Sequence, residues 1–258
     1  MSQTPFIHTF LLMSLVWLSA MGTAPAIEWA TLKGRFVYDG EPPEPKVLSP
    51  TRDVDFCGKQ QIPDESLVIN KDNRGIANII LYPRKKPTKI HPNYSESDND
   101  KITFDNMACR FEPHVQLLRT TQTLIVGNKD PKGHNTNFAA AANAIPNQLI
   151  PALGQTMPPF VEPEPRPVKV DCNIHPWMTA YLVVKDHPYI AKTDEDGYFE
   201  IKEVPCGEEL EFRVWHESSG WVRKVVSERV EFGKKGFKVT MTADVDLGTV
   251  QVNPAAFD

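Results

Sequence analysis

The chain is poor in cysteine, with four residues in 258, and so few exclude a small domain held by dense disulfides in place of a core. It has no extended Lys/Arg run and carries a formal charge of -5, from 28 Lys+Arg against 33 Asp+Glu. That balance suits phosphate backbones badly, so no nucleic-acid partner is expected. No apolar run is long enough to cross a bilayer as a helix, and no internal repeat is visible. Proline, by contrast, is abundant at 23 residues. The prolines fall mostly between apolar runs and exclude long helices. The hydrophobic share of 41% is enough for a packed core.

Residues 1 to 26 hold no Asp, Glu, Lys or Arg and centre on the apolar stretch from Phe10 to Ala20. This reads as a secretory signal peptide, with Ala24-Pro25-Ala26 as a cleavage motif and Gly22-Thr23-Ala24 as an alternative. The n-region lacks the usual basic residue, and a single uncleaved anchor or a membrane re-entrant piece is the competing reading. The protein is therefore expected to be secreted or periplasmic, where disulfides and copper are available.

Beyond Ile27 the dominant period is two, as in Thr31-Leu-Lys-Gly-Arg-Phe-Val-Tyr38 and Leu210-Glu-Phe-Arg-Val214. Alternation broken by Gly, Pro, Asn and Asp predicts an all-β protein of short antiparallel strands. The run Ala139 to Ala144 is helix-friendly, limited to a turn or two by Pro146 and Pro151, and Ser95 to Asp100 reads as a mobile loop. We divide the chain into residues 27 to 101, an N-terminal β segment, then 102 to 186, which carry the chemistry, then 187 to 258, a C-terminal β unit.

The most informative residues are Cys172-Asn-Ile-His175-Pro-Trp-Met178, between the strand Val168-Lys-Val170 and the run Ala180-Tyr-Leu-Val-Val184. A hairpin loop this short can aim a thiolate, an imidazole and a thioether at one centre. Upstream, Thr123-Leu-Ile-Val126 leads into a loop that ends at His134 and Asn135. One cysteine, two histidines and a methionine form the ligand set of a blue-copper centre. A structural zinc site usually wants more thiolates or histidines.

Over roughly residues 115 to 186 the sequence resembles the cupredoxins, the type 1 blue copper proteins, with the short ligand loop of their amicyanin and plastocyanin members. The resemblance implies a Greek-key cupredoxin β-sandwich holding one type 1 copper ion on His134, Cys172, His175 and Met178. It implies that the Asn135 backbone N–H bonds the Cys172 sulfur. It implies, too, that His175 is partly exposed as the electron entry point, beside Pro176 and Trp177. Trp177 is read either as the centre of an apolar docking patch or as buried against the C-terminal unit.

Thr193 to Gly207, followed by Leu210 to Trp215, is similar to the carboxypeptidase regulatory-like β-sandwich, a carbohydrate-binding-like fold, and Gly34 to Gly40 resembles that module's opening strand. The resemblance implies a second, smaller β-sandwich. We expect the N- and C-terminal segments to pack together. Trp215 and Trp221 are the aromatics that sugar binding would use, and a core tryptophan on a half-buried strand is the preferred reading of each. Asp194 and Asp196 are read as turn caps in preference to calcium ligands.

Three cysteines remain once Cys172 is set aside. Cys57 with Cys109 is the favoured pair, both lying in polar loop contexts, and Cys206 is left free. His114 is read as a hydrogen-bonded structural histidine. The leading function is an exported electron carrier working with a redox partner protein, a cytochrome or a dehydrogenase, and not an enzyme. The alternative is a carbohydrate- or envelope-binding module with an accessory or copper-storage site. A copper oxidase ranks last, because the chain shows no His-x-His pair.

Overall fold

The computed structural model describes residues 28–257. The expected signal peptide lies outside the described residues. Within them the protein is all-β, as period-two alternation requires. Strand β14 (Glu209–His216) shows why: it buries Leu210, Phe212, Val214 and His216 and turns the residues between them outward.

One sheet runs in the order β13 (Tyr198–Pro205), β1 (Trp29–Tyr38), β19 (Val245–Val252), β16 (Val225–Val226). A second runs β12 (Ala191–Lys192), β2 (Ile80–Pro83), β14, β18 (Gly236–Thr240), β17 (Phe232–Gly233), with β15 (Gly220–Trp221) paired to β14. Leu32 and Phe36 of β1, Ile201 of β13 and Val250 of β19 meet Leu81, Phe212, Val214 and Phe237 across one core. Each such side chain contributes roughly 2 kcal/mol by leaving water. Strand β1 is antiparallel to β13 and parallel to β19, so the N-terminal strand sits between two C-terminal ones. With β1 and β2 recruited, this outer sandwich holds the larger of the two main buried cores among the described residues.

The turn into β13 needs a glycine. Gly197 has φ of +82°, and a Cβ there would meet the Phe36 carbonyl oxygen at 2.1 Å. Asp194 caps the same turn, its Oδ1 accepting the N–H of Asp196 and of Tyr198.

The inner sandwich is built from β3 to β11 alone. One sheet is β4 (Arg110–Glu112), β3 (Lys101–Met107), β6 (Thr123–Asn128), β9 (Gln155–Thr156). The other is β5 (Val115–Arg119), β11 (Thr179–Lys185), β10 (Val168–Asp171), β7 (His134–Phe138), β8 (Gln148–Ile150). Phe104, Leu124 and Val126 pack against Phe138, Val170, Leu182 and Val184 between them. The chain thus leaves the outer sandwich after β2, builds the inner one, and returns at β12.

Ile80, Tyr82, Val115 and Val183 fill the seam between the sandwiches, with Trp215 and Trp221 packed on them. Trp215 lies 4.8 Å from the Tyr181 ring, so this aromatic packs between the sandwiches and is half-buried. Lys185 is buried with its ammonium 3.9 Å from the Tyr82 ring centre, and it donates to the Glu164 carbonyl at 2.6 Å. The Glu164 carboxylate accepts the backbone N–H groups of Ala141, Ala142 and Asn143. This explains a departure from expectation: the Ala139 to Ala144 run is a bend wrapped on a carboxylate and not a helical turn. Likewise Pro92–Ser97, partly within the expected loop, is a short 3-10 helix.

Candidate metal centre

Two loops meet at one end of the inner sandwich. Antiparallel pairing of β7 with β10, Asn137 opposite Asp171, sets the start of β7 beside the 172–178 loop. The first loop is stiffened by Asn128. Its side-chain N–H groups reach the carbonyls of Lys132, Ile150 and Pro151, and its Oδ1 accepts the Asp130 N–H. The second is closed by its own backbone: Cys172 N–H donates to the Met178 carbonyl at 3.2 Å, and Met178 N–H to the His175 carbonyl at 2.9 Å.

The result brings one donor atom each from His134, Cys172 and His175 within 4.8 Å of one another, all three residues buried. Met178 is buried in the same core, at the foot of the loop. A second grouping of Cys109, Asp130 and His134 shares one of these histidines, but Cys109 is bonded to Cys57 and has no thiolate to offer.

The nitrogens of the two imidazoles are sorted. His134 Nε2 is 2.9 Å from Asp130 Oδ2, while its buried Nδ1 has no hydrogen-bond partner. His175 Nε2 is 2.9 Å from Asp53 Oδ2, and its Nδ1 is 3.7 Å from the Cys172 sulfur. A carboxylate on one ring nitrogen fixes the tautomer and leaves the other nitrogen's lone pair free to bind a metal.

Electrostatics follow the same pattern. Burial pushes the Cys172 thiol up, but His134 and the backbone N–H groups of Asn135, His175 and Ile174 outweigh it and hold the thiol below its ordinary value. Burial pulls His134 down, yet Asp130 and Cys172 raise it to about 8. Burial lowers His175, with Asp53 opposing and the His134 charge adding to the fall. The hydrogen bond to His175, then that to Lys132, holds the Asp53 carboxyl low. His134 and Cys172 thus each favour the charged form of the other.

Asn135 is buried beside the sulfur. Its backbone N–H bonds the Cys172 sulfur, while its side-chain Oδ1 lies 3.5 Å from Sγ and accepts the N–H of Asn173 and of Ile174. Cys57 and Cys109 are joined in a disulfide, and Cys206 is free and half-buried. His114 bonds Glu217 through Nε2, with Glu65 3.9 Å from Nδ1, in the seam and away from the thiolate.

Two expectations need correcting. His175 is not partly exposed: its relative exposure is 0%, because the segment carrying Asp53 lies over it. Trp177 packs neither as an open patch centre nor on the C-terminal unit. It is half-buried on the Cys57, Ile62 and Cys109 cluster and donates its indole N–H to the Cys109 carbonyl at 3.0 Å. Pro176 beside it is exposed.

Sequence reasoning missed both carboxylates. Asp130, four residues before His134, could have been found as the acidic residue of the same loop. Asp53 is 122 residues from His175 and carries no local signal.

No family model matches the chain, and no curated protein matches it. Among solved structures it is similar to a copper-containing nitrite reductase from Thermus scotoductus SA-01, at 17% identity and a TM-score of 0.28, over 33% of this chain and 22% of that one. It is also similar to an amicyanin variant in the Cu(I) form, at 17% identity and 0.30, over 42% of this chain and 97% of that one. A second, reduced amicyanin variant gives 19% and 0.30, over 40% and 97%. The chain thus spans less than a quarter of the reductase.

Proposed function

We propose that this chain is a type 1 copper protein that carries single electrons between redox partners outside the cytoplasm. One observation carries the reading: His134, Cys172 and His175 converge within 4.8 Å in a buried site, and the inward nitrogen of His134 has no hydrogen-bond partner there. Two imidazoles, a thiolate and a thioether in the same loop suit copper better than zinc or a hard cation.

Copper, when bound, supplies a one-electron couple. The residues of the chain do the rest. Asp130 and Asp53 hold the rings, and the backbone N–H groups of residues 135, 174 and 175 favour the ionised sulfur. Strands on both flanks of each loop restrain the ligands against rearrangement, which keeps the barrier to electron exchange low.

In this reading residues 1 to 26 are removed on export, the protein works in the periplasm or medium, and its partner is a protein such as a cytochrome or a dehydrogenase. It carries electrons and does not turn over a substrate in this reading, since the chain has no His-x-His pair for further copper ions. Copper titration of the full mature chain tests it. One equivalent should give an intense thiolate band near ~600 nm and a reversible couple without turnover. Uptake of copper without that band would overturn the reading.

A further inference from the structure

We propose that Asp53 is a positioning residue of the metal centre, one that orients His175 from outside the inner sandwich and biases the bound metal toward its oxidised state. This rests on the copper reading above. Asp53 comes from the N-terminal segment, outside the strands that build the site.

The carboxylate is used on both sides. Oδ2 holds Nε2 of His175 at 2.9 Å, and Oδ1 holds Lys132 Nζ at 3.1 Å. Lys132 is two residues from His134, so Asp53 staples one ligand loop to the other. Its own backbone is fixed as well. Asp53 sits at φ of +44°, a conformation unusual for a residue with a Cβ, and its carbonyl accepts the N–H of Phe56 and of Cys57. Cys57 is bonded to Cys109, whose N–H donates to Asp130 Oδ2 at 2.8 Å. A closed ring therefore runs from His175 through Asp53, the disulfide and Asp130 to His134. Strain held in place by this many contacts at a ligand is the pattern of a functional position.

An exposed ion pair would carry little weight. Here the partner is a fully buried imidazole, and Asp53 is itself two-thirds covered. Two effects then act in one direction. A ring that donates to a carboxylate is a stronger metal ligand, and a negative charge nearby favours the metal state with the greater positive charge. Lys132 offsets part of that charge but also serves Asp55 at 3.0 Å, which leaves the trio of Asp53, Asp55 and Lys132 with one net negative charge.

The test is a spectroelectrochemical titration of the copper-loaded full chain and three variants. Asp53→Asn should keep the thiolate band and raise the potential, shifting exchange with a mediator about tenfold toward the reduced form, or ~59 mV. Asp53→Glu should recover most of that change. Lys132→Met, which touches neither imidazole, should move the potential the other way. A purely structural role for the pair would shift both variants in one direction, and that result overturns the proposal, as does an unchanged potential in Asp53→Asn with the band intact. A wild-type protein that binds copper without the band removes the copper reading itself, and Asp53's role with it. If Asp53→Asn fails to fold, the sign of the Lys132→Met shift decides.

Discussion

The inner and the outer sandwich both bury histidines and treat them in opposite ways. In the inner one, His134 and His175 each have a carboxylate on Nε2 and a nitrogen turned toward the Cys172 sulfur. In the outer one, His216 packs on Phe257 and accepts the Ser218 N–H, while His187 stacks on Tyr189 with its Nδ1 unpaired. Burial pushes both of these down to about 4. His114 is a third case, with two carboxylates and no convergent thiolate. Burial, an orphaned nitrogen or an acidic neighbour is thus not sufficient by itself to mark a ligand. Their coincidence with a second soft donor is what sets the inner pair apart.

Substitution should break the comparison most sharply. His134→Ala or His175→Ala should abolish the copper–thiolate band, whereas His187→Gln and His216→Gln should leave it in place, as read by visible absorption of copper-loaded protein. A lost band in either outer variant, with the fold retained by circular dichroism, would erase the distinction.

Next in size is the cover. The Cys57–Cys109 bridge closes a loop of 52 residues, and replacing both with Ala should cost about 4 kcal/mol by the chain-entropy estimate, measured by denaturant titration. Hydrogen exchange should show protection lost over residues 48 to 63 and 172 to 178, with the strands around His216 unchanged. Equal loss in both sandwiches would mean that the bridge does not serve the inner site in particular.

Acid acts with one sign on the outer pair and with the other on His114. His187 and His216 are neutral when buried, so their stabilisation is whole above the ordinary histidine value of 6.5 and is lost as pH falls from there toward about 4. Each drop converts to about 3 kcal/mol. The groups facing them are His114, whose charge opposes protonation of His216, and Asp186, Lys185 and Lys86 around His187. His114 is raised, so its contribution is whole below 6.5 and is lost only as pH rises through its folded value. Unfolding free energy between pH 6.5 and 4 should therefore fall steeply, and less steeply in His216→Gln. An unchanged slope in that variant would contradict the assignment.

The smallest effect expected is at Trp177. Trp177→Phe removes the indole donor to the Cys109 carbonyl and should cost about 1 kcal/mol while leaving the band and the pH slope alone. Its ring lies 5.1 Å from the His175 ring, and a shifted band would mean that the indole donor, and not only the ring face, bears on the site.

What could be read from residues alone was local. Period-two strands and the short run from Cys172 to Met178 are carried by neighbours in sequence, and so is the loop that delivers His134. The rest depends on contacts across the chain. Strand β1 finds partners near residues 200 and 250, which no local pattern encodes. The burial of His175 depends on Asp53 in the same way. The disulfide-held segment of this chain brings the Asp53 carboxylate onto that ring. Trp177 was misplaced for the same reason, because its partner, the Cys109 carbonyl, comes from another loop.

Copper X-ray absorption of the loaded full chain, wild type beside Cys172→Ser, tests the central claim most directly. The expected wild-type shell is two imidazole nitrogens with one thiolate sulfur, and the thiolate vanishes in the variant. A wild-type shell of nitrogen and oxygen alone, unchanged by the substitution, would contradict it.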